Sequence, residues 1–241
     1  MKNAWSIKWF STLDSTNDEL LRHIGAYDNL SVIAAESQTA GRGQRGNCWH
    51  TEPGENLTFS ILLKPDIPAG EFMRLNFAAA TAVRDYLTAR GIAAQIKWPN
   101  DIYVGKRKIC GMLVENGISD GLIKWSVSGI GINVNQRCFP ESLINPTSMR
   151  LQTGLTYNIK EELAGFLEVY ETRLVLSEEE LLISYQKGLF QKDIPAHYRD
   201  MASGEEFIGT IKEILPDGRI LIQGAAGENR LYRFKEVGYI L

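Results

Sequence analysis

Histidine and cysteine are scarce in this chain, and their spacing excludes several chemistries. His23, His50 and His197 are scattered and give neither a catalytic triad nor the HExxH spacing of a zinc protease. Cys48, Cys110 and Cys138 are odd in number and lack any CxxC pair. Zinc and disulfide frameworks are therefore poor readings, and a reducing cytoplasm is the expected setting. No apolar run approaches the ~18 residues that a membrane span needs. The N-terminus, MKNAWSIKWF, is short, interrupted by polar residues and without a small-residue cleavage site, so no signal peptide is expected. Basic charge is not in excess: 26 Lys and Arg stand against 29 Asp and Glu, a net charge of −3. Such a balance does not predict a nucleic-acid surface. Repeats, low-complexity tracts and long charged runs are missing as well.

What is present is an ordinary globular composition, 44% hydrophobic and 23% charged over 241 residues, enough for one large domain or one large and one small. A first strand is expected over 7–10. A helix follows from Ser15 and Thr16, with Thr16 and Glu19 as a capping box and Gly25 as its stop. Strands are expected at 30–35 and 56–63, then an amphipathic helix over 71–90 between glycines. Segments 94–98, 102–104, 108–116 and 122–133 read as strands in quick succession, with 102–134 an antiparallel meander. Residues 159–186 read as mostly helical. From Pro195 the pattern turns to short strands and turns, a small barrel of about 45 residues. The layout is α+β: a mixed sheet with helices over residues 1–190, and a small all-β domain over 195–241.

Two motifs carry cations. GRGQRG at 41–46 matches the spacing of a dinucleotide loop, but a strand rather than a helix follows it, so the Rossmann reading fails. The same glycines start a Walker A pattern, but Asn47-Cys48 stands where Lys-Ser/Thr is obligatory, and that reading fails too. KWPND at 97–101, followed by RKICG at 107–111, places Asn100 and Asp101 in a turn and Lys108 at the start of a strand. Asn and Asp together suit a turn, and they also suit a magnesium ion that keeps waters and bridges phosphates. Lys108 reads as an edge lysine or as a point charge for a phosphate. Ser15-Thr16-Asn17 reads as a cap or as a polar ligand contact, and Gln38 is ambiguous in the same way. Trp49 suits packing or an adenine ring. Gly129-Ile-Gly131-Ile-Asn133 suits close strand packing or room for a flat ring.

Taken together and in this order, these segments resemble biotin–protein ligases. The likeness runs through STN at 15–17, QTAGRGQRG at 38–46, Trp49, Asn56-Leu57, KWPND, RKICGMLVE at 107–115 and GIGINV at 129–134. It spans essentially the whole chain and implies a class II synthetase-like fold with a C-terminal SH3-like β-barrel. The resemblance implies condensation of biotin and ATP, with Mg²⁺, to biotinyl-5′-AMP, then transfer of biotin to a lysine of a biotin carboxyl carrier protein. By that likeness Ser15, Thr16 and Gln38 would bind the ureido ring and Asn17 would belong to the biotin site, with Gly111 and Gly131 flanking the bicycle. The loop with Gly41, Arg42, Gly43, Gln44 and Arg45 would close over the ligand, its arginines neutralising carboxylate and phosphate. Trp49 would pack on adenine and Asn133 would contact the nucleotide. Asn100 and Asp101 would serve metal and phosphates, and Lys108 the α-phosphate.

Gln44 departs from the arginine that many relatives carry there, and Asn47 from a basic residue, which bears on how tightly an adenylate is retained. The first strand begins by residue 7, so a helix-turn-helix domain and DNA binding are not expected, and the chain reads as the ligase-only form. Monomer and sheet-edge homodimer are both open. The nearest rival is a lipoate–protein ligase, whose RRxxGGG-type loop this chain lacks. A further alternative is a biotin- or nucleotide-binding module without transferase activity.

Overall fold

Residues 57–63, LTFSILL, are apolar almost without break, and they form a strand (β3, Leu57–Leu63) buried on both faces. A strand covered on both sides belongs in the middle of a sheet. The computed structural model, which describes residues 5–43 and 48–241, places it there. Flanking it are β1 (Ser6–Leu13), β2 (Ser31–Gln38), β5 (Ala94–Lys97), β6 (Asp101–Val104), β7 (Arg107–Ser119) and β8 (Leu122–Ile132). Their order across the sheet is β1-β2-β3-β8-β7-β6-β5, with the short β4 (Ile67–Pro68) added against β8. Only β1 and β2 run parallel; the other pairs are antiparallel, so the sheet is mixed. The expected meander is present and extends back to include β5.

One face of the sheet carries three helices: α2 (Phe72–Thr88), α4 (Ile159–Leu174) and α5 (Glu178–Lys187). Period-two alternation sends Leu57, Phe59, Ile61, Ile130 and Ile132 into this layer, where Phe59 meets Phe166 edge-on at 5.2 Å between centroids. The opposite face is thinner. There α1 (Thr16–Arg22) packs Leu20 against Ile33, Leu62 and Val127.

Three local expectations change. The cap of α1 is Ser15, whose hydroxyl accepts from the Asp18 amide at 3.3 Å. Thr16 is the first helical residue, so the Thr16–Glu19 capping box does not form. The helix ends at Arg22 with His23 as C-cap, ahead of Gly25. Residues 159–186 divide into α4 and α5 because Ser177 and Glu180 form a capping box that starts a new helix. A short α3 (Met149–Thr153), capped by Ser148 and stopped by Gly154 at φ 77°, was not expected.

The C-terminal part is a five-stranded antiparallel sheet in the order β12-β11-β10-β9-β13, from β9 (Pro195–Asp200), β10 (Glu206–Ile214), β11 (Ile220–Gly224), β12 (Asn229–Tyr232) and β13 (Val237–Ile240). Its buried Tyr198, Ile211, Ile222 and Val237 belong to the same hydrophobic cluster as the helical layer. Trp98 fastens the two sheets: its indole donates to the Gly218 carbonyl at 2.9 Å and meets Phe234 edge-on at 5.3 Å.

Candidate active site

The α1 face of the sheet is floored by glycines. Alternation puts Gly111 of β7 and Gly129 and Gly131 of β8 on this face, and Gly111 and Gly131 are register partners. With no side chains there, a cleft of about 300 Å³ opens between α1, residues 38–43 and 48–49, the 97–101 turn and β13. Each floor glycine has a close neighbour. A Cβ at 129 would stand 2.1 Å from Asn17 Oδ1, and one at 131 would stand 2.4 Å from the Trp49 indole. Either substitution forces a neighbour to move.

One end of the cleft is polar and buried. Ser15, Thr16 and Asn17 line it at the start of α1, and Gln38 faces them from the end of β2. The Thr16 amide donates to Gln38 Oε1 at 2.8 Å, so a side chain from β2 satisfies an orphan N–H of the helix. Ser60, fully buried on β3, brings its hydroxyl to 2.7 Å from Thr16 Oγ1 and 2.6 Å from Asn17 Oδ1. Asn17 Nδ2 donates to Glu115 at 2.9 Å. This is a preset array of hydroxyl and amide groups, of the kind that reads a small polar ligand.

Beside the floor lies the first half of the glycine-rich loop, residues 41–43. Arg42 is the cation expected to meet an anion, and here two carboxylates hold it: Asp18 at 2.6 Å and Glu115 at 2.9 Å. Those bonds, Glu115 first, raise its already high pKa. Arg42 thus ties the loop to α1 and β7. Gly43 lines the cleft beside it. Gly41 sits at the base of the loop, where its carbonyl accepts from the Trp49 amide at 2.8 Å, and it borders a smaller neighbouring pocket instead. Trp49 lies on the floor against Gly111 and Gly131, the surface expected to flank a bicycle, and its Nε1 is buried without a partner. Gln44 and Arg45 lie outside the described residues.

The other end is charged. Lys108 at the start of β7 reaches Asp101 at 2.7 Å and stands 5.7 Å from the centroid of the Trp49 ring. Asn100 donates through Nδ2 to the Met112 carbonyl and receives the Met112 amide on its own carbonyl at 3.0 Å, which pins the turn to β7. Tyr185 of α5 adds a bond to the Pro99 carbonyl at 2.9 Å. Lys97 and Lys235 line the same end, the latter exposed with its backbone at φ 75°.

Of the sequence-predicted residues described here, Asn133 is not brought to the cleft. It is 4% exposed, and its amide donates to the Thr147 carbonyl at 2.9 Å, holding the loop after β8. Residues that sequence reasoning missed are Asp18, Ser60, Glu115, Lys235 and Tyr239. Glu115 had a signal, since the RKICGMLVE match ends on it; the others become neighbours of the cleft only through the fold. Among the described residues no three His, Cys, Asp or Glu side chains cluster as a metal cage, and no helix is long and apolar enough to cross a membrane.

Comparison with known proteins places this geometry. Residues 9–133, more than half of the chain, match the biotin/lipoate A/B protein ligase family. The bifunctional ligase/repressor BirA of Bacillus spizizenii is 40% identical over 116 residues, which cover 47% of this chain and 36% of that protein. The biotin–[acetyl-CoA-carboxylase] ligase of Paracoccus denitrificans is 37% identical over 124 residues, covering 50% of this chain and 51% of that one. The chain therefore spans about a third to a half of the length of these relatives. The structure of the biotin protein ligase from Aquifex aeolicus in complex with biotin and ATP superposes with a TM-score of 0.77 at 25% identity, covering 97% of both chains. The fold is thus shared with a biotin protein ligase of known structure, and the chain belongs to the biotin/lipoate A/B protein ligase family.

Proposed function

We propose that the chain activates biotin with ATP to biotinyl-5′-AMP and passes the biotinyl group to a lysine of a biotin carboxyl carrier protein. The observation that carries this reading is the polarity of the cleft on the α1 face of the sheet. Buried hydroxyls and amides stand at one end and lysines at the other, with a floor bare enough for a flat ring, in a chain of this family.

In the first step a carboxylate oxygen of biotin attacks the α-phosphate and pyrophosphate leaves. Two anions must meet, so positioning and fixed positive charge supply most of the catalysis. We assign Ser15, Thr16, Asn17 and Gln38 to the ureido ring, with Gly41, Gly43, Gln44, Gly111 and Gly131 around the ligand. Lys108 is assigned to the α-phosphate and the biotin carboxylate. Arg42 and Arg45 serve as cations of the closing loop, for which Arg42 exchanges Asp18 or Glu115 for the ligand. Trp49 is assigned to the adenine, which requires the indole to lift from the glycine floor. Asn133 is kept at the nucleotide end as support for the wall, through Thr147, and not as a direct contact. In the second step the carrier's lysine amine attacks the activated carbonyl and AMP departs.

Asn100 and Asp101 supply one amide oxygen and one carboxylate, a donor set that suits Mg²⁺ arriving with phosphates rather than a caged ion. Bound there, the ion would neutralise phosphate charge. Asp101 also orients Lys108. We further assign residues 1–190 to catalysis and 195–241 to an SH3-like barrel. ATP as substrate and three free cysteines support a cytoplasmic setting. Sheet-edge homodimerisation through β1 is a compatible state.

The test is incubation with biotin, MgATP and a purified carrier domain, reading the carrier's mass. A gain of one biotinyl group that depends on ATP is expected. An unmodified carrier with no adenylate formed would remove the proposal.

A further inference from the structure

Glu115 stands four residues along β7 from Gly111, so alternation turns its side chain to the α1 face, the side of the sheet that carries the glycine floor. Two kinds of donor meet its carboxylate. Arg42 reaches it at 2.9 and 3.2 Å, and Asn17 Nδ2 reaches it at 2.9 Å. Arg42 also holds Asp18 at 2.6 Å, so charge balance alone does not call for a second carboxylate. What Glu115 adds is the bond to Asn17.

That bond decides which way round the Asn17 amide stands. An ionised carboxylate only accepts, so Asn17 must offer it Nδ2. The Leu113 carbonyl, 3.4 Å from the same nitrogen, makes the same demand. Oδ1 is thereby turned the other way, to the Ser60 hydroxyl at 2.6 Å and to Gly129, where it lies 2.1 Å from the position a Cβ would take. Asn17 and Gly129 both line the cleft. An amide oxygen has two lone pairs, and Ser60 uses one of them. The other is an acceptor at the floor. Gln38 is set in the opposite sense: its oxygen takes the Thr16 amide at 2.8 Å, which leaves Nε2 as its donor. A donor and an acceptor held in this way suit a ring that carries a carbonyl beside an N–H, as a cyclic urea does.

We propose that Glu115 is a positioning residue that holds the Asn17 amide with its oxygen to the cleft, so that the site selects a ring bearing an N–H donor. This rests on the biotin reading above, and the test separates the two.

Binding is measured by titration calorimetry without ATP, for biotin and for its two carbamate analogues, in which one or the other ring N–H is replaced by oxygen. The unaltered chain should prefer biotin over one of the carbamates by a factor on the order of a hundred, because two acceptors then face each other. Glu115→Met removes the carboxylate at similar size and frees the amide to turn its nitrogen to the ligand, so the preference should fall about tenfold. Glu115→Gln still has an oxygen for Asn17 and should keep the preference within about threefold, although its hold on Arg42 is weaker. Glu115→Ala repeats the Glu115→Met comparison if that variant does not fold. A purely structural role would weaken biotin and carbamate alike and leave their ratio unchanged. That result, no preference in the unaltered chain, or an equal fall of the ratio in Glu115→Gln would overturn the proposal. If the preference and its loss are seen but no biotinyl-5′-AMP forms when MgATP is added, the ligase reading fails and the role of Glu115 stands. If the unaltered chain binds no biotin, both fail.

Discussion

Lys108 carries the heaviest demand at the scale of single residues, because the proposed reaction brings a carboxylate to a phosphate and needs a cation where they meet. Removing one such contact costs on the order of 10²–10³ in rate. Lys108→Ala should therefore nearly abolish biotin-dependent pyrophosphate release while its circular dichroism stays unchanged, since the side chain is not part of the core. Normal release would remove the assignment. Ser60 makes a different contribution. Its buried hydroxyl joins Thr16 and Asn17, and Ser60→Ala should cost roughly 1–2 kcal/mol in urea unfolding and weaken biotin binding. An equally stable variant would show that the array does not depend on it. The contrast marks what could be read in advance. Ser15, Gln38 and Lys108 sit in local motifs whose chemistry is visible in the letters. Ser60 lies inside an apolar strand, and only the pairing of β3 with its neighbours decides that its hydroxyl faces α1. Asn133 is a case of the same kind: its motif is local, but the Thr147 carbonyl that takes its amide comes from the loop that follows β8, which the motif does not include.

Among the elements, the strands were legible because alternation and turn residues marked them, and the break between α4 and α5 was not, because the capping box at Ser177 was overlooked inside a helical pattern. The loop from Gln38 to Trp49 is where element and chemistry meet. Its Arg42 is clamped by Asp18 and Glu115, and its Trp49 lies on the glycine floor. Cys48 lies beside Trp49, exposed and at the edge of the cleft, whereas Cys110 is buried and its thiol is pushed far above the usual range by desolvation. Alkylation should therefore modify Cys48 and Cys138 and spare Cys110. Biotin with ATP should slow labelling of Cys48 and leave Cys138 as an internal reference, read by peptide mass spectrometry. Equal rates at Cys48 with and without ligands would mean that the loop does not close over them.

For the molecule as a whole, the strand and turn pattern after Pro195 pointed to two units, and the structure joins them through one hydrophobic cluster that runs from Val32 to Val237. Trp98, 2% exposed, is the fastening. Calorimetry should accordingly record one cooperative transition, and two resolved transitions would show that the sheets unfold independently. That union also explains why the cleft draws on both sheets, something no local pattern could disclose. The central claim is that this cleft activates biotin. It is tested most directly by mixing the chain with MgATP and either biotin or lipoate and identifying the nucleotide product by mass. Biotinyl-5′-AMP with stoichiometric pyrophosphate, and none of the lipoyl adenylate, is the expected result. A lipoyl adenylate in its place, or biotin and ATP left unreacted, would contradict it.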